Sequence, residues 1–109
     1  MRALQVDDTL AILAADPAAD RQLLVGDLNA PHEAPELAKL WTRLSDSWIA
    51  APRTSGGPST YPATTPVKRI DFVTVGSGIR VQHAAVPDAP GATEASDHRP
   101  VVADLFLQA

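Results

Sequence analysis

Between Lys68 and Val86 two extended stretches, KRIDFVTV and IRVQHAAV, stand on either side of Gly76 and Gly78. Side chains alternate across a strand, so Ile70 and Phe72 share one face and Asp71 takes the other. Glycine adopts the backbone angles of a tight turn at little cost. Strand, glycine turn and strand in this order predict a hairpin. A third strand is expected over RPVVADLFL, where Val101, Ala103, Leu105 and Leu107 alternate. Gln22 to Val25 is a short, continuously apolar run bounded by Gly26 and Pro31, as in a strand covered on both faces.

The remaining periodicity is helical. Val6, Leu10 and Leu13 fall at i, i+4 and i+7, which predicts a helix from Leu4 to Ala15 ended by Asp16-Pro17. Leu37, Leu40, Trp41 and Leu44 predict a second, opened by Pro35-Glu36, where proline is tolerated and an acid is favoured. Ala51 to Pro66, rich in Pro, Gly, Ser and Thr, and Pro87 to Ser96 read as loops. The order of elements indicates one mixed α/β domain over 1–109. Trp41, Trp48 and Phe72 are expected in its core.

Composition sets outer limits. The chain has 109 residues, is 45% hydrophobic and contains no cysteine, so a globular core is expected and disulfides and thiolate metal sites are excluded. No apolar run reaches the roughly 20 residues of a membrane span. Asp7 and Asp8 interrupt the opening segment, which therefore does not read as a secretory signal; the cytoplasm is the default expectation. The net charge of −4 argues against a broad non-specific grip on nucleic-acid phosphates.

Three acids stand where strands begin or end. Asp27 follows LLVG, Asp71 sits inside RIDFV, and Asp97 precedes His98 at the mouth of the last strand. A buried carboxylate needs a partner, a hydrogen-bond network or a metal. Each has an ordinary explanation alone: a turn for Gly26-Asp27 with Asn29 as a turn or cap residue, an ion pair of Asp71 with Lys68 or Arg69, a local cap at Ser96-Asp97. His32 after Pro31 reads as solvated, and His83 on its strand as structural. Polar residues at strand ends on one edge of an α/β sheet collect in one crevice. There Asp27, Asn29, Asp71, Asp97 and His98 would suit attack of water on a phosphate ester. A carboxylate orients or deprotonates the water, Asn and His donate to the phosphoryl oxygens, and a second carboxylate fixes the imidazole tautomer. Oxygen ligands favour Mg²⁺ or Mn²⁺ over zinc.

VGDLNAPHE, RIDFV and SDHRPVVADL, in this order, resemble the endonuclease/exonuclease/phosphatase superfamily, the metal-dependent phosphoesterases that include DNase I and exonuclease III; LSDSW and TYP are also similar to its bacterial hydrolases. The resemblance implies a mixed sheet with helices on one face, the C-terminal half of a four-layer α/β/β/α sandwich whose N-terminal half is absent. It implies a hydrolase acting on a phosphodiester or phosphomonoester of nucleic acid, phospholipid or a small molecule. Asp27 would activate the water and Asn29 would bind phosphate. Asp71 would support that network, Asp97 would ligate Mg²⁺ or Mn²⁺ or hold a histidine, and His98 would donate to the phosphoryl group. The missing half would leave the metal site incomplete and the activity weak or absent. It would also bare a sheet face for that half or for a second copy of the chain. The alternative is an interaction module that keeps the fold without the chemistry.

Overall fold

The computed structural model describes residues 1–88 and 95–108. The interior of the expected Pro87–Ser96 loop lies outside the described residues. The first helix, α1 (Ala3–Ala14), seats Val6 against Leu28, Leu37, Leu40 and Phe72 in the main apolar cluster. A short 3₁₀ turn (Ala19–Arg21) leads to strand β1 (Leu23–Asp27). The expected second helix forms as a 3₁₀ helix, Pro35–Thr42, which buries Leu37 and Leu40. Then come β2 (Ser45–Asp46), α2 (Ser47–Ala50), β3 (Thr54–Gly56), β4 (Asp71–Val75), β5 (Ile79–Val86) and β6 (Val102–Leu107).

The strands form two three-stranded sheets, ordered β1-β4-β2 and β3-β5-β6. The hairpin expected between the stretches around Gly76 and Gly78 does not form, because β4 and β5 belong to different sheets. The hydrogen bonds explain why. Both edges of β4 are taken, by β1 along its whole length and by β2 at Thr74 and Val75. The Gly76 and Gly78 N–H groups donate to the carbonyls of Gln22 and Asp20, and Ile79 N–H donates back to Gly76. The turn is thus tied to the chain before β1, and it steers β5 into the second sheet.

The second sheet is mixed. β3 runs parallel to β5, and β6 runs antiparallel to it with an irregularity between Val81 and His83. β3 lies inside the stretch expected as a loop. Its glycine permits the close approach: at Gly56 (φ +68°) an added Cβ would collide with the Val86 carbonyl oxygen. Ile70 and Phe72 are buried and Asp71 is half-buried, which agrees with the alternation in the sequence.

β1 departs from expectation. Leu24 packs on the main cluster, but Leu23 is 50% and Val25 61% exposed. β1 is an edge strand with one bare face, so the apolar run is not covered on both sides. An exposed charge costs little at such a place. Val25→Lys is expected to change unfolding free energy by less than about 0.5 kcal/mol, as urea unfolding would measure. No helix among the described residues is long and apolar enough to cross a membrane.

Candidate active site

Asp27 closes β1 and Asp71 opens β4, and the two are cross-strand partners. Antiparallel register therefore sets both carboxylates at the same end of the sheet and on the same face. His98 arrives there from the segment before β6. Its Nδ1 lies 2.8 Å from Asp71 Oδ2, and its Nε2 lies 3.9 Å from Asp27 Oδ2. One atom from each of Asp27, Asp71 and His98 falls within 4.8 Å of the others.

The backbone around this group is held by its own hydrogen bonds. Asp27 Oδ1 accepts the Asn29 N–H at 2.7 Å, and Asn29 takes a left-handed conformation (φ 52°). Asparagine tolerates that region because its short polar side chain bonds locally. Asp27 and Asn29 line one cavity beside α1. On the other side, Thr60 is fully buried, and its Oγ1 accepts the N–H groups of Ile70 (3.2 Å) and Asp71 (3.3 Å). Thr60→Val keeps the shape and orphans both donors. Urea unfolding should show a loss of about 1–3 kcal/mol, and a shift smaller than that would mean water replaces the hydroxyl.

His98 is fixed on a third side. The Tyr61 ring lies 4.8 Å from the imidazole, tilted by 47°, and Lys68 Nζ stands 5.5 Å from the Tyr61 centroid. The His98 pKa is raised from its ordinary 6.5, first by the hydrogen bond to Asp71, against the lowering effect of burial, and then by the charges of Asp71, Asp27 and Asp97. Two acids facing one imidazole favour its cationic form.

Of the five residues singled out in the sequence, Asp27, Asp71 and His98 meet. Asn29 lies against Asp27 through its backbone. Asp97 is exposed and outside the group: its carbonyl accepts the Ala63 N–H, and its side chain acts on His98 through charge. The carboxylate that holds the histidine is Asp71.

Other expectations change. Arg69 does not pair with Asp71. Its guanidinium binds the buried Asp46 twice, at 3.0 and 2.6 Å. His32 is not free in solvent but partly buried: Nδ1 lies 2.9 Å from Asp46 Oδ2, and the ring stacks on Trp41 at 4.4 Å. Tyr61 is legible in the sequence only as part of TYP, since a tyrosine in a Pro-rich loop has no periodicity to place it. Asp46 lies in LSDSW with no strand or helix pattern to mark it as buried.

A family model for the endonuclease/exonuclease/phosphatase family matches residues 1–98. The chain belongs to this family. No curated protein sequence matches it. Solved structures agree on the fold. A family protein from Bacteroides vulgatus superposes with a TM-score of 0.75 at 23% identity, over 97% of this chain and 42% of its own. A mannosyl-6-phosphatase from Bacteroides thetaiotaomicron gives 0.74 at 22%, over 96% and 44%. A family protein from Beutenbergia cavernae gives 0.59 at 24%, over 97% and 32%. The chain thus spans less than half the length of these proteins.

The family is in general dependent on a divalent metal. The donor set fits such an ion in part. Two carboxylate oxygens face each other, as a hard cation requires, while the imidazole nitrogen nearest to Asp71 is already bonded.

Proposed function

We propose that this chain carries the catalytic face of a metal-dependent phosphoesterase that hydrolyses a phosphodiester or phosphomonoester by attack of water. The observation that carries the reading is the meeting of Asp27, Asp71 and His98 at one end of one sheet. Asp27 Oδ1 is occupied by the Asn29 N–H, so Oδ2 is free to orient a water and take its proton. Asp71 accepts from His98 Nδ1 and fixes the ring. Nε2–H can then donate to a phosphoryl oxygen as negative charge grows there. Asn29 stands next to Asp27 to bind the same phosphate. Mg²⁺ or Mn²⁺ held by Asp27 and Asp71 would neutralise charge on the ester.

The sheet face bared at Leu23 and Val25 supports a further part of this reading. We infer that it is covered by the remaining half of the family fold, and that the chain alone binds the cation weakly and turns over slowly. Hydrolysis of p-nitrophenyl phosphate and of bis(p-nitrophenyl) phosphate, with and without Mg²⁺ or Mn²⁺, tests the proposal. Slow, cation-dependent release of nitrophenol, lost in Asp27→Ala, is expected. Turnover untouched by Asp27→Ala, or neither turnover nor calorimetric cation binding, would overturn it.

A further inference from the structure

A second cluster of polar side chains lies on the other sheet, away from Asp27, Asp71 and His98. Arg53, Arg80, His83 and Asp104 line a cavity of about 510 Å³. Strand pairing sets these residues together. The Arg53 carbonyl accepts the Ala84 N–H at 3.1 Å, which docks the start of β3 on β5. Across the β5–β6 ladder His83 faces Asp104 and Arg80 faces Phe106, so the cavity sits well along the ladder from the end where His98 enters.

The charges in this cavity do not cancel. Arg69, Arg99 and Lys39 each have an acidic partner, and Arg43 and Arg21 bond to amide or carbonyl oxygens. Among the described residues no such partner meets the side chain of Arg53 or Arg80. His83 is held by Ser55, with Nε2 3.0 Å from its Oγ, while Nδ1 lies 3.5 Å from Asp104 Oδ2. That carboxylate is 67% exposed, and the lining carries two guanidinium groups against this one carboxylate. A guanidinium presents its N–H groups as a planar fork that matches the edge of an oxyanion. Two such forks and an oriented imidazole around one concavity suit a tetrahedral anion.

We propose that the cavity of Arg53, Arg80 and His83 is an oxyanion-binding site, separate from the catalytic group, for a phosphate or sulfate, free or at the end of a monoester. Its ligand is held by the two guanidinium forks, with the ring of His83 as the third wall. The proposal does not depend on the phosphoesterase reading.

The test is an amide NMR titration of the 109-residue chain with inorganic phosphate and, separately, with sulfate, at ionic strength held constant with sodium chloride. Saturable shifts at Arg53, Arg80 and His83 are expected. Arg53→Ala and Arg80→Ala should each weaken the affinity about tenfold or more, and Arg53→Lys and Arg80→Lys should each retain only part of it. Both arginines are exposed, so both variants are expected to fold, and their amide spectra report whether they do. Saturation by phosphate alone, by sulfate alone or by both identifies the anion and supports the site. Shifts matched by chloride, or saturable shifts confined to Asn29 and His98, would overturn it.

Discussion

On the proposed phosphoesterase reading, Asp71→Asn is expected to lower hydrolysis of phosphate esters by about 10²–10⁴-fold, the range that follows loss of a group controlling proton transfer. The substitution keeps the size of the side chain and its bond to the buried Thr60 hydroxyl through the backbone. It removes the charge that holds His98 at 2.8 Å. A second readout separates this role from simple damage. The His98 pKa should fall back toward its ordinary 6.5, because its largest cause is the Asp71 hydrogen bond. The sign for stability follows from that direction. A histidine whose folded pKa is raised contributes stability that is fully present below its unfolded value and is lost as pH rises through the folded value. The wild-type chain should therefore lose stability on the alkaline side of 6.5, and Asp71→Asn should flatten that loss. An imidazole ¹H titration and urea midpoints across this window measure both. An unchanged titration with reduced activity would remove Asp71 from its role as the histidine's partner.

Asp46→Ala is expected to destabilise the fold by about 3–5 kcal/mol, a large share of the 5–15 kcal/mol typical of a domain. Asp46 is 3% exposed and collects three partners: both terminal nitrogens of Arg69, His32 Nδ1, and the Trp48 N–H that starts α2. The Arg69 side chain is itself only 15% exposed, so its charge would be left without a counterion in a poorly solvated place. The pair need not be a net source of stability; breaking it is what costs. Urea unfolding with an unchanged slope and a lower midpoint is the expected result. A shift below about 1 kcal/mol would mean that water reaches Arg69 when the acid is gone.

Local pattern accounts for much of the fold. The 3.6-residue spacing of Val6, Leu10 and Leu13 marks α1, and the alternation of Ile70, Asp71 and Phe72 tells which side chain faces the core. GDLN and RID mark the paired ends of β1 and β4, as a gathering of polar groups at strand ends predicts, whereas SDH precedes β6 of the second sheet, so His98 joins Asp27 and Asp71 from another sheet and not along one sheet edge. Periodicity reports which face of an element is buried; it carries no information on which element lies next to it. Two glycines after β4 are compatible with a hairpin, but β1 and β2 take both edges of β4, and the carbonyls of Asp20 and Gln22 hold the turn, so β5 joins a second sheet. The run of apolar residues in β1 reads as buried on both faces, yet hydrophobicity does not say whether a covering layer is present. His32, Asp46 and Arg69 are far apart in the chain, and their ion-pair network exists only where three unrelated segments meet. The amino-acid sequence by itself determined most of the elements, the buried face of most of them and the residue types that meet as Asp27, Asp71 and His98, since these follow from local backbone geometry and solvent transfer. The tertiary structure alone decided the two sheets, the partners of Asp46, Asp71 and His98, and the placing of Arg53 and Arg80 on one cavity, since long-range contact depends on which segments occupy the same space.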